Sequence, residues 1–285
     1  MIVKKIRYNQ SNFPEILRTI PSPPSELYVL GDLAPLLKMP RLAVVGSRKV
    51  SPYGKQITNQ LVYEVASRGV VVISGLAFGV DALAHQATLD ADGITIAVLP
   101  SHVTEIYPKN HVQLAKRILK SGGVLISEHS AGSPPLRFSF ITRNRLVSGL
   151  SDGVLITEAA VKSGTLHTAN FALEQGKSVM AVPGNITSPL SAGTNNLIKS
   201  GAIPVTEFRD IMHALDIDIS PLSTELFAAN KEESVILDLM KQGITDSNEI
   251  LALSALNIVI FNQTLTMLEI TGKIMPLGAG HWQLR

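Results

Sequence analysis

Leu42-Ala-Val-Val-Gly46-Ser-Arg48-Lys-Val-Ser51-Pro-Tyr-Gly54 passes from four apolar residues to a small-residue turn, and then into a helical pattern over Tyr53–Ser67. An unbroken apolar run is what a strand buried on both faces of a parallel sheet requires, and Gly, Ser and Pro punctuate the turn that follows. The same succession recurs along the chain. Strand-like runs occupy Leu42–Gly46, Val70–Ser74, Ile94–Leu99, Val124–Ser127, Val154–Thr157, Val179–Val182 and Ile203–Thr206. Helical patterns at Tyr53–Ser67, Val80–Ala91, His111–Lys120 and Thr165–Gln175 separate most of them. Such alternation implies right-handed crossovers and a mostly parallel sheet covered on both sides. The fold expected is α/β, a Rossmann-like doubly wound sheet.

Around this region, spanning residues 41–215, the chain changes character. Residues 1–40 are rich in proline and read as an irregular lead-in with short helices. Residues 216–229 read as a linker. Over 230–285, helical patterns at Glu232–Lys241, Ser247–Leu253 and Ile258–Thr271 precede a hydrophobic ending, Lys273 to Arg285, suited to a two-stranded wing. Three helices and a hairpin make a small C-terminal winged-helix-like domain. The third helix would be the DNA reader of a typical member. Here it contains no Lys or Arg, which forgoes the main attraction to phosphate, so a protein-contact or structural module is expected.

Hydrophobic residues make up 45% of the 285, and mean hydropathy is +0.24. The longest apolar stretches, such as Val70–Ile73 and Ile258–Phe261, fall far short of the roughly 18–20 residues of a membrane span. The apolar excess is therefore core. The start, Met1-Ile-Val-Lys-Lys-Ile-Arg-Tyr, has charge but no apolar stretch behind it, so no secretory leader is expected. Cysteine is absent, which excludes disulfides, thiol catalysis and cysteine metal sites and suits the cytoplasm. Residues 222–285 hold four cations against seven carboxylates, a net −3, which leaves +5 on the rest. Any polyanion would favour the larger domain.

Several turns at the carboxyl ends of the expected strands suit anions. Gly46 admits close approach to the backbone, Ser47 and Ser51 offer hydroxyls, the next helix offers free N–H groups, and Arg48 adds a forked cation. A tight turn with a surface arginine would look the same. Ser74-Gly75-Leu-Ala-Phe-Gly79-Val-Asp81 is a second small-residue turn. Asp81 and His85 lie four apart on its helix, fit for an acid–base or metal pair, or for a structural role at the helix start. Phe138-Ser-Phe140-Ile-Thr-Arg143-Asn144-Arg145 sets two arginines and an amide behind aromatics. Arginines neutralise phosphates and a phenylalanine stacks on a base, although a helix start with a core Phe has the same composition. Lys162-Ser163-Gly164-Thr165 gathers a cation, hydroxyls and N–H groups as an anion nest does. Pro183-Gly-Asn185 and Gly193-Thr-Asn-Asn196 add polar loops at the same edge.

Other chemistries lack their residues. The first turn is not G-x-G-x-x-G, and no Asp or Glu closes the second strand to hold a ribose, so no dinucleotide is expected. A nucleophile elbow, a Walker loop and His-rich metal spacing are missing, and no general base stands beside a nucleophile. No cofactor, metal or catalytic residue is expected.

Taken together, Gly46-Ser-Arg-x-x-Ser-x-Tyr-Gly54, Ser74-Gly-x-Ala-x-Gly-x-Asp-x-x-Ala-His85, Arg143-Asn-Arg145, Lys162-Ser-Gly-Thr165 and Ala181-Val-Pro-Gly-Asn185 with Gly193-Thr-Asn195 resemble the DprA/Smf family, the DNA-processing proteins of bacterial natural transformation. The resemblance runs from about Tyr8 to Ala202. It implies a non-enzymatic cytoplasmic protein with an extended Rossmann fold that binds single-stranded DNA in a basic pocket and dimerises. Such a protein protects incoming DNA and helps load a RecA-type recombinase. On this chain the pocket would comprise Gly46, Ser47, Arg48, Ser51, Gly75, Phe140, Arg143, Asn144, Arg145, Lys162, Ser163, Gly164 and Thr165. Ile141 stands where the family favours Pro, and Leu166-His167-Thr168 where it favours Leu-Ile-Thr, so His167 would add a polar contact. The competing expectation is a nucleotide phosphoribohydrolase of the lysine decarboxylase-like type, whose loop carries paired glycines and a closing glutamate. Here that loop reads Val161-Lys-Ser-Gly-Thr-Leu-His-Thr168, without the carboxylate that activates water. Release of free base from nucleoside monophosphates separates the two.

Overall fold

The computed structural model describes residues 2–218, 230–271, 273–278 and 280–284, and the chain divides into two compact units, Met1–Asp218 and Ile219–Arg285. The strands of the first unit are β1 (Lys4–Arg7), β2 (Glu26–Leu30), β3 (Arg41–Val45), β4 (Val71–Ser74), β5 (Thr95–Val98), β6 (Val124–Ser127), β7 (Gly153–Ile156), β8 (Ser178–Ala181) and β9 (Ile203–Pro204). Its helices are α1 (Glu15–Arg18), α2 (Pro52–Ala66), α3 (Val80–Asp90), α4 (Val112–Lys120), α5 (Arg137–Gly149), α6 (Thr165–Glu174), α7 (Ala192–Lys199) and α8 (Phe208–Ala214).

All these strands join one sheet in the order β1-β2-β6-β5-β4-β3-β7-β8-β9. From β3 the chain winds outward through β4, β5 and β6, then returns to pair β7 in parallel on the other side of β3. The winding therefore reverses between β3 and β7, where a doubly wound sheet leaves a crevice beyond its strands' carboxyl ends. Each of β3 to β7 is buried at every position, because helices cover both faces. Leu146 of α5, Leu150 just after it and Ala169 of α6 pack with Ala43, Val45, Ile73 and Ile156 on one side. Leu89 of α3 and Leu114 and Ile118 of α4 pack with Ala97, Leu99 and Leu125 on the other. Alternate residues of one strand thus serve opposite layers, which is why the runs show no polar alternation.

The first forty residues depart from the expected irregular lead-in. β1 pairs antiparallel with β2, and β2 antiparallel with β6, which extends the sheet at that edge. Only Ile6 of β1 is buried, and Lys4, Lys5 and Arg7 leave a charged edge of the kind that resists further pairing. Those charges, and the prolines between the strands, hide the pattern. The 216–229 linker falls almost wholly outside the described residues.

In the second unit, α9 (Lys231–Lys241), α10 (Ser247–Ser254) and α11 (Ile258–Ile270) precede the hairpin of β10 (Ile274–Gly278) and β11 (His281–Leu284), the winged-helix order. Asn230, Asp246 and Asn257 cap the three helices, each side chain accepting a backbone N–H of the first turn. Ile236, Leu237, Ile250, Phe261, Leu265, Leu268 and Ile274 form the core. Ile258, Val259, Met267 and Ile270 of α11 remain exposed. Among the described residues no helix is long and apolar enough to cross a membrane.

Candidate functional site

A cavity of about 710 Å³ opens at the reversal between β3 and β7, and its walls come from chain segments far apart in sequence. Gly46, Ser47, Arg48 and Lys49 follow β3, and Ala160 with Lys162–Gly164 lies between β7 and α6, which Thr165 opens. Arg137, Phe140, Ile141, Arg143 and Asn144 come from α5, Tyr107 from the connection after β5, and Ala77 and Asp81 from around the start of α3. Arg48, Arg143 and Lys162 therefore share one cavity.

Their exposure separates them. Arg48, Lys49, Arg137 and Lys162 are exposed, and none of the four makes an ion pair among the described residues. The Arg48 guanidinium lies 5.2 Å from the centroid of the Phe140 ring, whose edge contact with Tyr107 has centroids 5.5 Å apart. Arg48 is thereby steered over the cavity by an aromatic surface while its N–H fork stays in water.

Arg143 behaves otherwise. Only 3% exposed, it donates to the carbonyl of Gly75 and, at 2.5 Å, to that of Val98, tying the ends of β4 and β5 together. Burial pulls its pKa down to about 10, opposed by the nearby Asp81 carboxylate. Burial in turn raises the Asp81 carboxyl, and Arg143 partly offsets it. Arg143 therefore lines the cavity but is chiefly a tie within the sheet: Nη1 serves both carbonyls and Nε donates to Asn144 Oδ1 at 3.2 Å. Gly75 lies beneath that guanidinium, where a Cβ would collide with it, so its glycine serves the arginine rather than a ligand. Arg145 departs from the expected pocket. It pairs with Glu128, both largely buried, and it is not among the lining residues.

Hydroxyls in the two anion-compatible turns likewise hold the turns. Ser47 Oγ donates to Lys49 O at 2.8 Å. Ser163 Oγ donates to Thr165 Oγ1 at 3.0 Å, and Thr165 Oγ1 donates to Gly46 O at 2.8 Å, which binds the two loops to each other. Ser51 caps α2 by accepting from Gly54 N–H at 3.0 Å. Its own N–H and hydroxyl go to the Glu158 carboxylate, so the donors expected to be free at the start of α2 already hold an internal anion.

Asp81 accepts from Gly75 N–H at 3.1 Å, and His85 Nδ1 meets Thr95 Oγ1 at 2.7 Å, so these two do not pair. Burial, followed by His111 and Arg143, lowers the His85 pKa to about 3. The polar loops at Pro183–Asn185 line a separate cleft with Ser51 and Tyr53, while Gly193–Asn196 belong to α7. His167 is exposed but not among the cavity's lining residues. Sequence reading missed Lys49, adjacent to Arg48, and Arg137, adjacent to the quoted aromatics. Tyr107 sits in a connection with no motif of its own.

Comparison with known proteins matches these elements to one family. Residues 4–216 match the family model described as DNA recombination-mediator protein A. The chain is 46% identical over 206 residues to the Smf protein of Escherichia coli K12, covering 72% of this chain and 54% of that one. It is 39% identical over 213 residues to the DNA processing protein DprA of Bacillus subtilis 168, covering 75% and 71% respectively. The aligned part thus spans about half the length of the Escherichia coli relative. Among solved structures, DprA from Streptococcus pneumoniae superposes with a TM-score of 0.70 at 37% identity, covering 74% of each chain. DNA processing protein A from Helicobacter pylori, described for its single-stranded DNA binding mode, gives 0.68 at 33% identity, covering 76% of this chain and 97% of that one. With the whole of the sheet and its rim inside the matched residues, the chain belongs to the DNA recombination-mediator protein A family.

Proposed function

We propose that this chain is a cytoplasmic single-stranded DNA-binding recombination mediator that acts by holding its ligand rather than by turning it over. One observation carries the reading: two separate loops bring the unpaired cations Arg48, Lys49 and Lys162 to one cavity at the winding reversal, with Phe140 in its wall. Phosphates of a flexible strand suit cations left in water, and a base suits an aromatic wall. The Helicobacter pylori relative, described for a single-stranded DNA binding mode, supports the same assignment. Asp81, the carboxylate among the cavity's lining residues, is held by the Gly75 and Ala77 N–H groups, and Glu158 behind the loops is engaged with Ser51, which favours binding over hydrolysis. In this role the protein protects DNA entering by natural transformation, works as a homodimer and helps load a RecA-type recombinase. The second unit, whose α11 presents apolar side chains and no cation, serves protein contact.

The test is a salt titration of binding to a dT oligomer. Each phosphate neutralised contributes about −0.7 to the log–log slope, so three cations predict a slope of about −2. In parallel, the protein is expected to speed strand exchange by a RecA-type recombinase on DNA coated with single-strand binding protein. A slope near zero together with no acceleration refutes the reading.

A further inference from the structure

Glu158 stands directly after β7 and Thr157, and is 2% exposed, yet it makes no ion pair among the described residues. Its contacts go to one loop. Its backbone carbonyl accepts the Ser47 N–H at 2.8 Å. Its carboxylate accepts the Ser51 N–H at 2.9 Å through Oε2 and the Ser51 hydroxyl through Oε1. Ser51 is the N-cap of the 15-residue helix α2, so the buried charge rests on the positive end of that helix instead of on a cation. Packing leaves no slack: a Cβ on Gly54 would lie 2.9 Å from Oε2, and one on Gly46 would lie 2.9 Å from the Glu158 carbonyl. One residue thus grips the loop at Ser47 and at Ser51. Between those grips lie Arg48 and Lys49, exposed and otherwise unpaired.

The geometry points to Glu158 as the positioning residue of the DNA-binding loop, an internal anion that fixes where Arg48 and Lys49 stand before any strand arrives. This deepens the proposed function and rests on it. A prearranged cation contributes more to affinity than one that must be ordered on binding. Glu158 is not expected to touch DNA; it acts through the loop.

In Glu158→Gln the side chain keeps its volume but loses its charge, and only one of its two terminal atoms can still accept from Ser51. Affinity for a dT oligomer is expected to fall about tenfold, the equivalent of one charge-assisted hydrogen bond, with the helical circular dichroism unchanged. The decisive readout is coupling. In an Arg48→Ala, Lys49→Ala background, Glu158→Gln is expected to cost less than twofold, because there is no cation left to place. A purely structural role would cost the same in both backgrounds and would overturn the inference, as would unchanged binding by Glu158→Gln. Should Glu158→Gln fail to fold, Ser51→Ala, which removes one bond to the same carboxylate, is put through the same cycle with the same outcomes. Failure of the unsubstituted protein to bind dT would strike the functional reading instead, so the two are told apart.

Discussion

Arg48→Ala is expected to weaken binding to a dT oligomer about tenfold near 0.1 M salt and to reduce the salt slope by about 0.7, the share of one phosphate. Both effects follow from its placement. The guanidinium is exposed at the mouth of the cavity, lies over the Phe140 ring and makes no ion pair among the described residues, so its charge is available to a ligand. The same placement predicts what does not change. Substitution of a surface residue without buried partners shifts stability by less than about 0.5 kcal/mol, so the melting temperature of Arg48→Ala should match that of the unsubstituted protein. Arg48→Lys restores the charge but not the planar fork, and should recover the slope more fully than the affinity. A titration in which Arg48→Ala keeps the original slope would remove Arg48 from the phosphate contacts.

Arg143→Ala should do the opposite: damage the fold first. Removing this guanidinium frees the buried carbonyls of Gly75 and Val98 and leaves the Asp81 carboxylate without its neighbouring cation. Each buried carbonyl left without its donor costs about 1–3 kcal/mol, together a drop of roughly 10 °C in the melting temperature at this size. The loss should depend on pH with a definite sign. Asp81 is held above its ordinary 3.8 by burial, and Arg143 pulls it back. An acid whose pKa is raised in the folded state keeps its proton more tightly there, so stability falls as pH rises from the ordinary value through the raised one. Without Arg143 that window reaches to higher pH. The deficit of Arg143→Ala should therefore be largest near neutrality and shrink toward pH 5. Thermal melts across that range check it; a variant that melts normally but loses salt-dependent binding would return Arg143 to the ligand.

These two arginines mark the boundary of what the sequence reveals. Apolar runs such as Leu42–Val45 and Val70–Ile73 are legible because a sheet covered on both faces leaves a strand no polar side. The rim turns are legible because Gly, Ser and Pro mark chain reversals. Whether a charge beside such a turn faces in or out depends on which carbonyls the fold brings near it, and for Arg143 these lie 68 and 45 residues away. Ser51 reads as a ligand hydroxyl because its true partner, Glu158, lies 107 residues off. The edge strand β1 and its neighbour β2 escape for a different reason: a solvated edge carries charges, and four or five residues of alternation among prolines resemble a loop. Tyr107 reaches the cavity by topology alone.

Convergence of the β3–α2 and β7–α6 loops on a single polynucleotide site is best tested by a crystal structure of this chain with a short dT oligomer. Phosphates are expected within hydrogen-bonding distance of Arg48 and Lys162 together, with a base near Phe140 and Arg143 still bonded to Gly75 and Val98. DNA seated on another face, with both of these cations in water, would contradict it.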